Sequence, residues 1–572
     1  MKTTGFRKAL SVGLILTFFV VATLLSCSQS SIRDRSEKSH KHIISQRKSI
    51  EGDLLVLATI GAPTMFAPYV VSDTASYEVI DRIFDGLLEY NPDLKLVGNL
   101  AESYRIENSG RRIVFKLRKD VKWHDGYPFT AKDVVFTYKI ITDELTPSPY
   151  KSAYEKIKDV KALDNYTVVV DYKEPFSPAL ESWTSAILPE HLKDQMKGRK
   201  IPDKNATLWL TGSRFAFHPI GTGMFKFVKY VTNRYVLLEV NPDYHKGYPR
   251  GIALLMIRVI PDQATIYLEL KAGKIDWAGL TPNQYIKTDP YIEKNYRKLR
   301  YPSWGYTYIG YNLLRKPLDD VRVRKALSYA INTDEIVKNI LKGLGRKLSG
   351  PFLPGSWAYN NRVKPIEYNP KKARKLLKEA GWWDRDNDTF VENEDGEELE
   401  IELLTNQGNQ IRKEIATMVQ KWWSDIGVKT RIRILEWSTF VYNYIDNRKF
   451  DAVLLGWSLS IDPDQYDIWH SSKTGKGDLN FVSYKNKEVD RLLEMGRRVF
   501  DIKKRAKIYH RIHEIIARDQ PYTFLYTPDS LVAISKRIKG IKPSRIGISY
   551  NMEQWYIPRT QWKNPVKQSL LP

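Results

Sequence analysis

Apolar residues first appear along the chain as one uncharged run, Ala9–Leu25, and only later in alternating or helical patterns. After Asp53, Leu54-Leu55-Val56-Leu57-Ala58 reads as a short strand, and Tyr77–Tyr90 shows helical spacing. Arg112–Arg118 alternates as a half-buried strand does, and Tyr166–Tyr172 is a further β run. At Thr130-Ala131-Lys132-Asp133 the sequence predicts a helix start. Thr130 is the N-cap and Asp133 sits three residues on, followed by Val134, Val135, Tyr138 and Ile141 on one face. Helices are predicted over Val321–Leu341, Pro370–Ala380, Ile411–Ile426, Lys487–Asp501 and Lys503–Ala517. Strands Glu400–Leu404, Thr430–Leu435 and Ala452–Leu455 fall between them. This alternation predicts the α/β class, with parallel strands in at least one domain. No repeat of 20–50 residues is visible.

The first apolar run has its own meaning. It is short for a membrane span, follows Lys2, Arg7 and Lys8, and ends in Leu24-Leu25-Ser26-Cys27. That layout predicts an export signal over residues 1–27. Its end resembles the lipobox of bacterial lipoproteins, in which the cysteine carries the lipid. Residues 28–50, rich in Ser, Lys, Arg and His, then read as a flexible tether. The expected location is periplasmic or otherwise extracytoplasmic, anchored to the cell membrane by lipid at Cys27.

Charge changes the picture less than its size suggests. The 572 residues carry a formal +24, of which +7 lies in residues 1–50 and +17 in the rest, mostly interleaved with acids. The denser stretches Arg497–Lys507 and Lys536–Arg545 read as solvated faces, and no nucleic-acid partner is expected. A single Cys excludes internal disulfides and Cys-rich zinc modules. The P-loop and the G-x-S-x-G elbow are absent. His510–Ala517 holds His-Glu without a second His and reads as a helix surface. Asp384, Asp386 and Asp388 alternate as in a calcium loop. Thr389 stands where glycine is needed and Asp395 where Glu is, so a solvated loop is expected. No catalytic residue, metal or cofactor is assigned. Trp304, Trp357, Trp437, Trp457 and Trp469 lie near predicted element ends, where aromatic faces serve either a concave site or a core.

Longer motifs carry a family resemblance. They include Phe84-Asp85-Gly86-Leu87-Leu88, then Phe115–Gly126 leading to Thr130–Phe136, and Gly221–Phe227 with Asn241-Pro242-Asp243-Tyr244. Leu270–Asp276, Leu318–Leu327 and Ala373–Trp382 follow, then Phe450-Asp451, Gly456-Trp457 and Asp462-Pro463. Over residues 53–557 the chain resembles the bacterial extracellular solute-binding proteins of family 5, the oligopeptide, dipeptide and nickel binders of ABC importers. The resemblance implies a periplasmic-binding-protein-like clam of three domains. A discontinuous domain I (51–89, 206–305, 525–572) and domain III (306–524) close on a ligand, and a small β-rich domain II covers 90–205. It also implies a monomer serving permease and ATPase subunits in the membrane, without catalysis.

For the site, the family's amine-holding Asp after the Gly-Trp falls at Ser460, with Asp462 nearby, and a second acid falls at Ser72. Basic residues that receive peptide C-termini fall at Tyr444 and Leu454. Tyr150, Trp437 and Trp457 keep the family's aromatic character. The expected ligand is therefore a peptide held by Trp457, Ser460, Asp462, Trp437, Tyr150, Ser72 and Tyr444. An oligosaccharide stacked on the aromatic faces is the alternative, and an exported hydrolase, which needs two carboxylates facing a cleft, is the different-class one.

Overall fold

The core of the fold is a sheet in which thirteen strands are linked, ten of them in one continuous path. The computed structural model describes residues 50–201 and 206–566; the predicted signal, Cys27 and most of the tether lie outside them. In the first half of the sheet, Gly52–Thr59 pairs in parallel with Ile252–Val259 and Trp277–Gly279. In the second half, Glu400–Asn406 pairs in parallel with Lys429–Leu435 and Ala452–Ser458. The α/β class and its parallel strands are thus observed.

The halves meet on one long strand, Tyr522–Ser535. Its beginning pairs with Gly305–Tyr311 of the second half, and its end pairs with Tyr296–Pro302 of the first. Tyr296–Pro302 itself continues through Ser303 and Trp304 into Gly305–Tyr311. Among the described residues, only two passes of chain therefore join the halves. Gly305–Tyr311 is buried at all seven positions, because apolar clusters cover both faces of the second half. Tyr306 and Tyr308 face one cluster, Ile309 and Tyr311 the other, as the two-residue period of a strand requires. A separate antiparallel sheet orders Ala101–Glu107, Arg112–Leu117, Thr167–Tyr172 and Ile157–Asp164.

Helix starts follow the sequence more closely than helix ends. Asp133 accepts the Thr130 N–H at 2.8 Å, the capping box predicted for Ala131–Thr142. Its buried stripe is Val134, Thr137, Ile140 and Ile141, leaving Val135 and Tyr138 half-buried. The helix predicted over Tyr77–Tyr90 is Thr74–Ile83, followed by the strand Leu88–Tyr90. Asp73 caps its start, and the Ile83 carbonyl is taken by the Gly223 N–H at 2.8 Å instead of by the next turn. Val321–Leu341 breaks after Tyr329, whose carbonyl accepts the Asn369 N–H at 2.7 Å, and restarts with Asn332 as cap. Lys487–Asp501 stops at Gly496, because the Gly496 and Arg497 carbonyls accept hydrogen bonds from Ser177. Among the described residues no helix is long and apolar enough to cross a membrane.

Two surface expectations are corrected. Arg497, Arg505 and Arg537 belong to the basic stretches read as solvated, yet they are 4%, 5% and 6% exposed; Arg497 and Arg505 pair with the partly buried Asp464 and Asp462, and Arg537 with the buried Asp53 and Asp276. His513, read as helix surface, is fully buried: its helix packs against Phe352 and Tyr359, and the imidazole fills the space between them. Its Nδ1 accepts the Asn360 N–H at 3.1 Å, which places the ring proton on Nε2, 3.1 Å from the Ser349 hydroxyl. A protonated ring would set N–H against N–H there, and burial pushes its pKa down to about 4. The unfolded state, with a pKa of roughly 6.5, then binds more protons between those values, so stability falls as pH drops through that window. His513→Gln should flatten this slope, by up to about 1.4 kcal/mol per pH unit. Urea midpoints at pH 7, 6 and 5 check it; parallel slopes for the two proteins would rule His513 out as a source.

Candidate ligand-binding site

A cavity of about 1060 Å³ opens between the two halves of the sheet. The helix Thr74–Ile83 and Trp277 wall it from the first half. Tyr150 and Glu181 come from the block that carries the small sheet, and Trp437 and the segment Leu455–Gln465 from the second half. The strand Ala452–Ser458 explains that last wall. It is buried until Gly456, then runs out at Trp457–Ser458, so the following loop must turn along the cavity.

Six of the seven sequence-predicted residues line this space: Ser72, Tyr150, Trp437, Trp457, Ser460 and Asp462. Trp457 is held from behind, donating to the Tyr522 hydroxyl at 3.2 Å and lying parallel to Tyr308 at 6.3 Å. Trp437 donates its indole N–H to Asp73 at 3.3 Å, a bond from the second half to the first. Tyr150 packs edge-on against Tyr77, and burial pushes its phenol pKa up. Ser72 and Ser460 are exposed to the cavity. Asp462 lines it too, but Arg505 takes both its oxygens, at 2.6 and 2.7 Å. Tyr444 lies elsewhere: it packs on the second-half core with the Arg433 guanidinium 4.8 Å above its ring. Of the tryptophans singled out in the sequence, Trp304 joins the lining, whereas Trp469 is wholly buried core.

Sequence reasoning missed the cavity's charge. Twelve acidic side chains and three basic ones line it, in a chain whose formal charge is +24. Asp81 and Asp446 make no ion pair among the described residues, and each has an open carboxylate for a cation to meet. Burial pushes Asp446 up to about 6. Burial also pushes Asp467 up to about 6, and Glu181, with Asp462 and Asp464 close by, up to about 7. An approaching cation would bring such carboxyls back down. No local pattern announces this set, because its members come from segments hundreds of residues apart. The acidic loop that the sequence does announce is different. Asp384, Asp386 and Asp388 set carboxylate oxygens within 4.8 Å of one another but are all exposed. Asp384 accepts the Asn387 and Thr389 N–H groups, which closes the turn.

Two sheet halves, joined by two strand passes and enclosing a cavity lined from both, make up the architecture of a two-lobed ligand receptor. The chain belongs to the bacterial extracellular solute-binding proteins, family 5, whose middle region it matches over residues 95–478. The oligopeptide-binding protein AppA of Bacillus subtilis is 35% identical over 96% of this chain and 98% of its own length. The structure of AppA in complex with a nonapeptide superposes with a TM-score of 0.83, covering 90% of this chain and all of that one. NikZ of Campylobacter jejuni, solved with Ni(L-His), is 29% identical, with a TM-score of 0.77 over 88% of this chain and 100% of that one. The Helicobacter pylori protein DppA, solved with the peptide STSA, is 27% identical, with a TM-score of 0.77 over 90% and 99%. Relatives of one fold thus carry different ligands, so the ligand must be argued from the cavity.

Proposed function

We propose that this protein captures a peptide in the cavity between its lobes and delivers it to an ABC importer without chemical change. The observation that carries this reading is the cavity itself. It is too large for a single small metabolite, it has aromatic faces from both lobes, and it holds acids free to meet amines. AppA, at 35% identity over nearly the whole chain, adds a nonapeptide-binding relative.

In this reading Trp457, Trp437, Tyr150, Ser72 and Ser460 touch the peptide. Asp462, already paired with Arg505, sets the loop path, and Asp446 or Asp81 takes the amine role. Closure turns on the strand passes near Trp304 and Thr527, so that binding favours the closed form. The domain boundaries given above mark the moving parts, and Cys27 is the lipid attachment that keeps a monomer beside its permease and ATPase subunits.

Mass spectrometry of ligand released on denaturing the purified protein should find peptides. In thermal melts, peptides should raise Tm, since ligand at a hundred times Kd adds about 2.7 kcal/mol. Oligosaccharides should leave Tm unchanged; a shift from oligosaccharides alone would overturn the peptide reading.

A further inference from the structure

The basic stretch Lys536–Arg545 loses Arg537 to the interior, but its other charges have no role in the ligand cavity. It opens the last part of the described chain, residues 536–566, which holds seven basic residues and one acid, Glu553, and Glu553 lines the cavity. Outside the cavity this segment builds a small ladder. Tyr556 exchanges both backbone hydrogen bonds with Lys539, at 2.9 and 3.2 Å, and pairs in parallel with Arg250 on its other side. Residues directly opposite in a ladder send their side chains to one face, so Arg250, Tyr556 and Lys539 stand side by side. Strand alternation turns Trp555 and Ile557 inward and leaves Tyr556 46% exposed.

Other side chains extend this face. Lys542 donates to Gln554 at 3.4 Å, two residues before Tyr556. Arg250, Lys539 and Lys542 make no ion pair among the described residues. Trp562, half-buried, donates its indole N–H to the Ile557 carbonyl at 3.1 Å, with the Arg559 guanidinium 5.6 Å over its ring. Aromatic rings with a polar edge, set among Lys and Arg, suit the headgroup layer of a bilayer: the rings lie at the boundary and the cations meet phosphate.

The place of the face says what it meets. The Asp53 N–H bonds to the Gly251 carbonyl at 3.0 Å, and Gly52 pairs with Val566. The chain therefore enters the fold one strand away from Arg250. Residues 28–50 lead back from that point to Cys27 and carry six basic residues and two acids. As a flexible coil they span about 25 Å. Turning twelve acids and three bases into the cavity also leaves the outer surface more positive than the sequence total suggests.

We propose that the face of Arg250, Lys539, Lys542, Tyr556 and Trp562 rests on an anionic lipid bilayer, so that the body of the protein, and not only the lipid at Cys27, holds it to the membrane. A tether of that reach keeps the face close to the bilayer, where a weak contact acts as an intramolecular one. All five residues belong to the first lobe, so the second remains free to swing on its two strand passes.

The test uses the purified chain beginning at Ser28, which keeps the tether and the compact unit Gly52–Val566 but carries no lipid. It should cosediment with vesicles of three parts phosphatidylcholine to one part phosphatidylglycerol, and not with phosphatidylcholine alone. Arg250→Gln, Lys539→Gln and Lys542→Gln should each weaken this binding roughly fivefold, and together by about 100-fold. Tyr556→Ala should weaken it with no change of charge. Neutralising Lys371, Lys375 and Lys378, exposed on a helix of the second lobe, removes the same charge elsewhere and should cost far less. Melting temperatures equal to the parent's confirm that the variants fold. Equal losses from the two triple variants would overturn the proposal by assigning the binding to net charge. Failure to bind the anionic vesicles, or binding to a soluble polyanion such as heparin without binding to vesicles, would overturn it too.

Discussion

Replacing Arg537 with Met is expected to lower the unfolding free energy by about 3–5 kcal/mol, read from urea denaturation. Arg537 is 6% exposed and pairs with two buried carboxylates, Asp53 and Asp276, which are 0% and 3% exposed. It grips Asp276 through Nε at 2.8 Å and Nη2 at 2.7 Å, and reaches Asp53 through Nη1. Asp53 opens the first strand of the sheet and also accepts the Lys563 and Asn564 N–H groups. Asp276 leads into the strand Trp277–Gly279 and accepts the Val56 N–H at 3.1 Å. One guanidinium thus ties the start, middle and end of the chain. Met would fill the space but strip Asp53 of its ion partner and leave Asp276 only the more distant Lys563 ammonium at 3.6 Å, and the loss comes from those weakly compensated charges. Arg537→Lys should lie between, because an ammonium cannot match two carboxylates with a planar fork. A Met variant as stable as the parent would show that the ion cluster contributes nothing net.

Arg497→Met should weaken both the fold and ligand binding, by about 3–5 kcal/mol in stability and by tenfold or more in affinity for the identified peptide. The guanidinium pairs with Asp464 at 2.8 Å, lies 3.8 Å over the Tyr466 ring and donates to the Ser152 hydroxyl at 2.9 Å. Ser152 in turn donates to Asp467 at 2.8 Å, and the Arg497 carbonyl accepts the Ser177 N–H at 2.7 Å. Ser152 and Ser177 belong to the block of the small sheet, the others to the second lobe. The cluster therefore bridges two walls of the cavity. Its removal strips a partner from Asp464, one of whose oxygens is already without one. It also takes away contacts that hold the lobe against that block, so part of the binding energy must be used to restore the closed arrangement. Denaturation and calorimetric titration of the same variant read the two effects. Unchanged affinity in a destabilised protein would confine Arg497 to a structural role.

Several parts of this molecule were legible along the chain because they are local. The capping box at Thr130 and Asp133 needs four consecutive residues, and the alternation at Arg112–Leu117 needs one strand and its solvent. The cavity-lining places of Trp457 and Trp437 were reached through family motifs. What failed was whatever a distant partner decides. The helix from Thr74 ends at Ile83 because Gly223 takes a carbonyl, and no residue near position 83 says so. Arg497 and Arg505 looked like solvated charge because each acid that buries them is more than thirty positions away. His513 looked like surface because the pocket it fills is built by Ser349 and Asn360.

The sequence by itself determined the family, the α/β class and most element positions, since periodicity, caps and collinear motifs are properties of neighbouring residues. Tertiary structure alone decided the electrostatics. It gathered twelve acids from separated segments into one cavity of a basic chain and paired Asp462 with Arg505. The physical reason is that a charge is defined by its burial and its partners, and both are set only when the two halves of the sheet come together.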